Sequence, residues 1–202
     1  YTSTEVSPLE RHFYKHNLRN GKKVKITKEH GTHGVTPSAS GKYFIDSYSS
    51  TDVARNVDIM DANGKYVKRL HEAVDPLKDY NIGTIELGEL KAEDGQTLYT
   101  RMIKPYNFDP NKKYPVIIYV YGGPHAQMIT DEWTAGAGIY LHYLSQEGFI
   151  VFTLDNRGSA DRGEAFEQVI HRQCGQAEMR AQKVGIDYLK SLPYVDAERI
   201  GT

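Results

Sequence analysis

The run Tyr119-Val120-Tyr121-Gly122-Gly123-Pro124-His125 holds the densest set of chemically useful residues in this chain of 202 residues. It follows an apolar stretch, and its paired glycines let a backbone turn sharply and approach a ligand closely. A tyrosine hydroxyl placed there can donate a hydrogen bond to the oxyanion of a tetrahedral intermediate. The same residues also fit an ordinary Gly-Gly-Pro turn with the Tyr121 ring packed against a sheet. A second run, Leu154-Asp155-Asn156-Arg157-Gly158-Ser159-Ala160, follows the next apolar stretch. Loops at the carboxyl ends of parallel strands are where ligand contacts gather. Arg157 suits a bidentate pair with a carboxylate. In the plainer reading, Asp155 and Arg157 brace the loop and Gly158 permits its turn.

The remaining chemistry-bearing residues give no complete site. A serine nucleophile on a strand-to-helix elbow needs Gly-x-Ser-x-Gly, and no serine here has glycine at both flanking positions. Ser159 lacks that context. Cys174 has His171 close in sequence, but adjacency along the chain is not pairing in space. A lone cysteine reads as an inert, partly buried residue. His12 and His16 have a spacing that holds zinc only on a helix, and they fall in a strand pattern. His30 and His33 fall in a glycine-containing stretch read as a loop, with no third ligand, so the histidines are expected at the surface or in turns. No Gly-Lys-Ser, Gly-Lys-Thr or Gly-x-Gly-x-x-Gly offers a phosphate cradle. No metal or organic cofactor is expected.

Residues 1–78 supply short alternating runs broken by turn signals. Strands are expected at residues 12–18, 24–27, 42–48, 57–60 and 66–70, with hairpins at Asn20-Gly21 and Asn63-Gly64. This is the pattern of a sandwich, barrel or propeller, too short here to close any of them. Residues 79–202 mix periods. Two strands at 84–87 and 98–103 join around Asp94-Gly95. Buried strands follow at 115–121 and 149–154. Helices are predicted over 132–146, with Ile139, Tyr140, Tyr143 and Leu144 on its apolar face, and over 177–192, with Val184, Tyr188 and Leu192 as its stripe. Residues 199–202 begin a third strand, giving the grammar of an open α/β sheet.

Composition limits the function classes. Lys plus Arg is 25 against 26 for Asp plus Glu, a net charge of −1, which offers no basic excess for nucleic acid. Hydrophobic residues at 39% and charged residues at 25% suit a packed core. No apolar run is long enough to cross a bilayer as a helix. The single cysteine forbids an internal disulfide. The absence of an initiator Met and the unfinished sheet lead to the expectation of an internal piece of a longer protein.

The run Lys113-Tyr114-Pro115-Val116-Ile117-Ile118-Tyr119-Val120-Tyr121-Gly122-Gly123-Pro124 resembles the oxyanion-loop strand of the prolyl oligopeptidase family. Asp155-Asn156-Arg157-Gly158-Ser159, then Gly163, His171-Arg172 and Gly175, is similar in the same way. Within that family the chain is similar to the dipeptidyl peptidase IV subfamily, in particular its bacterial dipeptidyl and prolyl tripeptidyl aminopeptidases. Ser3 through Phe13 looks like a late propeller blade.

The resemblance implies the end of a β-propeller over 1–78, then the first half of an α/β-hydrolase domain over 79–202. It implies a serine exopeptidase acting on peptides with proline near the amino terminus, with Tyr121 in the oxyanion hole and Gly122, Gly123, Asp155, Arg157 and Gly158 as loop support. The nucleophile, acid and base are expected beyond Thr202 and the amine-binding glutamates before Tyr1, so the chain alone is expected to be inactive. A homodimeric parent in the periplasm or cell envelope is also implied. The alternative is a non-catalytic binding or scaffold module derived from the same fold.

Overall fold

The computed structural model describes residues 1–202. They divide into two compact units, one of Tyr1–Pro76 with Thr130–Gly136 and one of Leu77–Ile129 with Ala137–Thr202.

The first unit is antiparallel β structure. Strands β1 (Thr2–Ser3), β2 (His12–His16) and β3 (Lys23–Lys25) form one sheet in that order. Strands β4 (Thr32–Pro37), β5 (Tyr43–Ser50), β6 (Val53–Asp61) and β7 (Tyr66–Glu72) form a four-stranded meander. The Asn63-Gly64 signal sits in a tight hairpin, where Asp61 N–H donates to the Lys65 carbonyl at 2.9 Å and Gly64 takes φ +80°. Asn20-Gly21 does not form a two-residue turn. Asn17 N–H donates to the Lys22 carbonyl, closing a four-residue loop with Gly21 at φ +70°. The stretch holding His33, expected as a loop, is strand β4, paired from Thr32 opposite Ser49 to Pro37 opposite Phe44. It is an outer strand of its sheet, where Pro37 removes no needed donor.

Polar groups hold this unit together. His12 is buried, with Nδ1 3.0 Å from Thr27 Oγ1 and Nε2 2.8 Å from Glu10. His33 is also buried, with Nδ1 2.9 Å from Asp46 and Nε2 3.0 Å from the Glu29 carbonyl. Neither is a surface histidine, because strand pairing carries both rings inward. Arg69 reaches Asp58 through two bonds of 2.8 and 3.0 Å.

Residues 130–136 belong to this unit. Asp131 N–H donates to the Leu9 carbonyl at 2.7 Å, and the Asp131 carboxylate accepts from Thr51 N–H at 3.0 Å and lies 2.8 Å from His30 Nδ1. Trp133 N–H donates to Ser49 Oγ at 2.9 Å. Thr134, Ala135 and Gly136 follow at φ +60°, +53° and +76°. The helix predicted from residue 132 therefore begins only at Ile139, because these bonds and the left-handed turn fix the first seven residues otherwise.

The second unit is a mixed sheet. Its strands β8 (Thr84–Lys91), β9 (Thr97–Lys104), β10 (Tyr114–Ile118), β11 (Ile150–Leu154) and β12 (Val195–Gly201) lie in the order β12-β10-β11-β9-β8. β10 runs parallel to both β11 and β12, while β9 is antiparallel to β11 and β8. Alternate residues of β11 face opposite ways. Ile150, Phe152 and Leu154 join Leu98, Val116, Ala181 and Leu189 in one cluster, and Val151 joins Ile103 and Leu141 in another. Helices α1 (Ile139–Gln146) and α3 (Ala177–Ser191) thereby cover the two faces, with the short helix α2 (Glu164–Glu167) between them in the chain.

The first helix buries a different face from the predicted one, and the second centres its buried face one residue away from the predicted stripe, whose Tyr188 and Leu192 still pack against the core. α1 buries Leu141, His142 and Ser145 and leaves Ile139, Tyr140 and Tyr143 exposed. α3 buries Ala181, Gly185 and Leu189, with Val184, Tyr188 and Leu192 half-buried beside them. A Cβ on Gly185 would lie 3.1 Å from the Phe152 ring, so small residues bring the helix down onto the sheet.

Candidate functional site

The sheet presents two loops from the carboxyl ends of β10 and β11. β10 ends at Ile118, and Tyr119 N–H donates to the Phe152 carbonyl at 2.8 Å. Tyr121 stands just beyond, 60% exposed, and its hydroxyl makes no hydrogen bond. Its ring lies over Gly123, where a Cβ would come within 3.3 Å of it. The ring is therefore not packed into the sheet. Neither Gly122 nor Gly123 takes a left-handed φ, and only Gly123 lies close against the ring; a Cβ on Gly122 would meet Asn156 and Glu178 at 3.6 Å.

Gly158 does need its residue type. Its φ is +102°, and a Cβ would meet the Ile170 side chain at 2.8 Å. Its N–H donates to the Phe166 carbonyl at 3.1 Å. Arg157 pairs with Asp94 through Nη1, donates from Nη2 to the Ala165 carbonyl at 3.3 Å, and stacks 4.7 Å over the Phe166 ring. It holds the β8–β9 turn and its own loop; its carboxylate partner lies within the unit. Ser159 is buried and gives its hydroxyl to the Asn156 carbonyl at 2.7 Å.

Asp155 is 4% exposed. Its two carboxylate oxygens accept from Met128 N–H at 2.8 Å and Ile129 N–H at 3.2 Å. Burial pushes its pKa up to about 6, against those two bonds and the charges of Arg101 and Arg162. Arg101, 1% exposed on β9, donates to the Met128 carbonyl at 2.8 Å and to Thr153 Oγ1 at 3.1 Å. Burial lowers the Arg101 pKa to about 10, opposed by Asp155 and Tyr119. His142 on α1, 2% exposed, has no hydrogen-bond partner on either ring nitrogen. Burial and then the Arg101 charge lower its pKa, favouring the neutral ring.

Beside the loops lies a cleft of about 540 Å³ lined by Pro124, His125, Gly158, Glu167, His171 and Cys174 among others. His125 takes φ +60°, places Nδ1 2.7 Å from Glu167, and donates its N–H to the Gly158 carbonyl at 3.2 Å. The Cys174 thiol is exposed, not partly buried as expected, and contacts only the Ile170 carbonyl at 3.6 Å.

Residues 138–202 match the prolyl oligopeptidase family, and residues 1–55 match the dipeptidyl peptidase IV N-terminal region. The chain is 30% identical to dipeptidyl peptidase 8 of Mus musculus, over all of the chain and 24% of that protein. Porphyromonas gingivalis dipeptidyl peptidase 4 superposes with a TM-score of 0.91 at 32% identity, over 100% of this chain and 29% of that one. A Bacteroides ovatus protein assigned as a dipeptidyl aminopeptidase IV gives the same TM-score at 45% identity, over 96% and 28%. The chain is similar to the prolyl oligopeptidase family. It is dipeptidyl-peptidase-IV-like, and it spans about a quarter of the length of the curated relatives it matches.

Sequence reasoning placed Tyr121, Gly122 and Gly123 on one loop of this dipeptidyl-peptidase-IV-like chain and Asp155, Arg157 and Gly158 on the next. Three residues it missed are Arg101, Arg162 and His142. Arg162 is sandwiched on Tyr99 and Phe166 at 4.9 and 4.2 Å. Arg101 had a readable signal: a charge inside the otherwise apolar end of a strand, Arg101-Met102-Ile103. His142 had none, because a polar residue on a short helix is ordinarily solvated.

Proposed function

We propose that this chain is part of a serine exopeptidase that releases amino-terminal dipeptides or tripeptides after proline, and that Tyr121 donates to the oxyanion during acylation. The observation that carries the reading is the Tyr121 hydroxyl, exposed and unbonded at the carboxyl end of a strand gripped on both sides by parallel neighbours. The strand order supports reading the second unit as the first half of an α/β-hydrolase sheet, and the antiparallel sheets of the first unit support reading it as propeller-derived.

In this mechanism the nucleophile, general base and orienting acid come from outside these residues. The chain alone is inactive, and its contribution is electrostatic. As the carbonyl carbon becomes tetrahedral, negative charge grows on its oxygen, and a hydroxyl already in place stabilises the transition state more than the ground state. Gly123 leaves room for the ring, and the Asp155–Gly158 loop supports the neighbouring backbone. Peptide substrates with proline near the amino terminus, a homodimeric parent and a periplasmic or cell-envelope location belong to the same proposal. No helix here is long and apolar enough to cross a membrane.

Tyr121→Phe in the longer protein tests the reading. It is expected to lower kcat by about a hundredfold or more, with KM little changed. An unchanged kcat would reduce Tyr121 to a packing residue.

A further inference from the structure

The segment that carries Tyr121 runs from the end of β10 to Met128, and no regular structure holds it between those points. Its far end is gripped with unusual care. The Asp155 carboxylate accepts both N–H groups of the consecutive residues Met128 and Ile129, while the Arg101 guanidinium takes the Met128 carbonyl from its other side. All three backbone groups are thus satisfied by side chains, in a stretch where no ladder could satisfy them. Ile129 and Arg101 are fully buried, and Asp155 is buried beside them.

We propose that Arg101 and Asp155 form a charged clamp on the Met128–Ile129 backbone that positions the Tyr121 segment and loosens when Asp155 takes up a proton.

A neutral acceptor could satisfy one N–H, but only a carboxylate offers an oxygen to each of two, and a guanidinium opposite it stops that stretch of backbone from rotating away. Burying two charges for this purpose costs folding stability, which a packed apolar pair would not. The raised pKa of Asp155 is the sign of that cost. With its folded pKa above the ordinary carboxylate value, the native state holds the proton more tightly than the unfolded chain between about pH 4 and 6. Stability from this group is therefore present at low pH and is lost as pH rises through 6. The grip on Met128 and Ile129 moves oppositely: it is complete above pH 6 and loses one acceptor below it. The charged groups facing Asp155 are Arg101 on β9 and Arg162. Those facing Arg101 are Asp155, Tyr119 and His142.

The consequence for catalysis rests on the oxyanion role proposed above, but the clamp can be tested without activity. In the 202-residue chain, the amide proton resonances of Met128 and Ile129 are followed by NMR from pH 4.5 to 8. Both are expected to move along one titration curve with a midpoint of about 6, and the Tyr121 amide is expected to move with them. Asp155→Asn should abolish that titration. Arg101→Met should move its midpoint upward, because the charge that favours the carboxylate is gone, and Arg101→Lys should restore part of the shift. Flat curves for Met128 and Ile129, or the same curves in Asp155→Asn, would overturn the clamp. A Tyr121 amide that ignores the transition would overturn its positioning role. In the longer protein, Asp155→Asn should lower kcat by about tenfold to a hundredfold at unchanged KM and remove the corresponding acid limb of the pH profile. Should Tyr121→Phe leave kcat intact while the amides still titrate, the oxyanion role of Tyr121 fails and the clamp stands.

Discussion

Both large apolar clusters of the molecule lie in the second unit, built from Leu98, Ile103, Val116, Ile150, Phe152 and their neighbours. The first unit instead buries His12, His33, Asp46, Asn56 and Asp58 between its strands, and leaves Tyr43, Ile45, Val67 and Leu70 on the outside. One unit is held by surface removed from water and the other by hydrogen-bonded and ionic pairs. An apolar core loses stability in proportion to the volume deleted. A polar core loses it when one partner is left behind without the other. The units should therefore answer differently to the same kind of mutation, and to pH.

The largest expected effect is in the apolar unit. Phe152→Ala should destabilise it by about 3–5 kcal/mol, read as a shift in the denaturation midpoint by far-ultraviolet circular dichroism. A loss below about 1 kcal/mol would mean that the sheet collapses onto the space left by the ring. In the polar unit, Asp58→Ala leaves Arg69 without its two strongest bonds. Arg69 is half-exposed, so water recovers part of the loss, and the expected cost is about 1–3 kcal/mol. Trp133 is the only tryptophan and belongs to the first unit, so its fluorescence reports that transition. Asp58→Asn should cost less than Asp58→Ala, and equal losses would deny that the bonds to Arg69 matter.

The smallest effect concerns His142. A buried histidine whose pKa is lowered binds a proton more weakly folded than unfolded. Its contribution is complete above the unfolded value near 6.5 and is lost as pH falls below it. Asp155 works the other way, so the two groups oppose each other over the same range. His142→Leu, which removes an unpartnered imidazole from beside Arg101, should flatten the loss of stability between pH 7 and 5 and cost little at pH 8. Unchanged acid sensitivity in this variant would place its cause elsewhere.

What could be read from the sequence follows the same division. Strands β10 and β11 were legible because their apolar runs are continuous, and β8 and β9 because their residues alternate about the turn signal Asp94-Gly95. Tyr121 and Asp155 were placed on the right loops because each follows a buried strand. β4 was not legible: Gly34, Pro37 and two nearby histidines look like a loop, and only pairing with β5 and the contact of His33 with Asp46 make it a strand. Residues 130–136 keep an acceptable helical composition, but Asp131 and Trp133 are tied by their backbones to distant residues, which no local pattern encodes. The face of α1 was misread for another reason. Ile139, Tyr140 and Tyr143 are more apolar than the buried His142 and Ser145, so hydrophobicity pointed to the wrong side of the helix. Arg101 escaped notice because its partners, the Met128 carbonyl and the Thr153 hydroxyl, lie far along the chain.

The clamp at Met128 also fixes length. Between Ile118 and Met128 the chain is anchored at both ends, by a strand with hydrogen-bonded neighbours and by two buried charges. One residue added or removed there cannot be absorbed at either end and would have to displace the Tyr121 ring. The loop between β2 and β3 is the contrary case, since Leu18 at its tip is almost fully exposed and the loop is bonded only within itself, among residues 17–22. A label or inserted peptide intended to leave the candidate site alone belongs at Leu18–Gly21, and the nine residues before Met128 should be left at their present number.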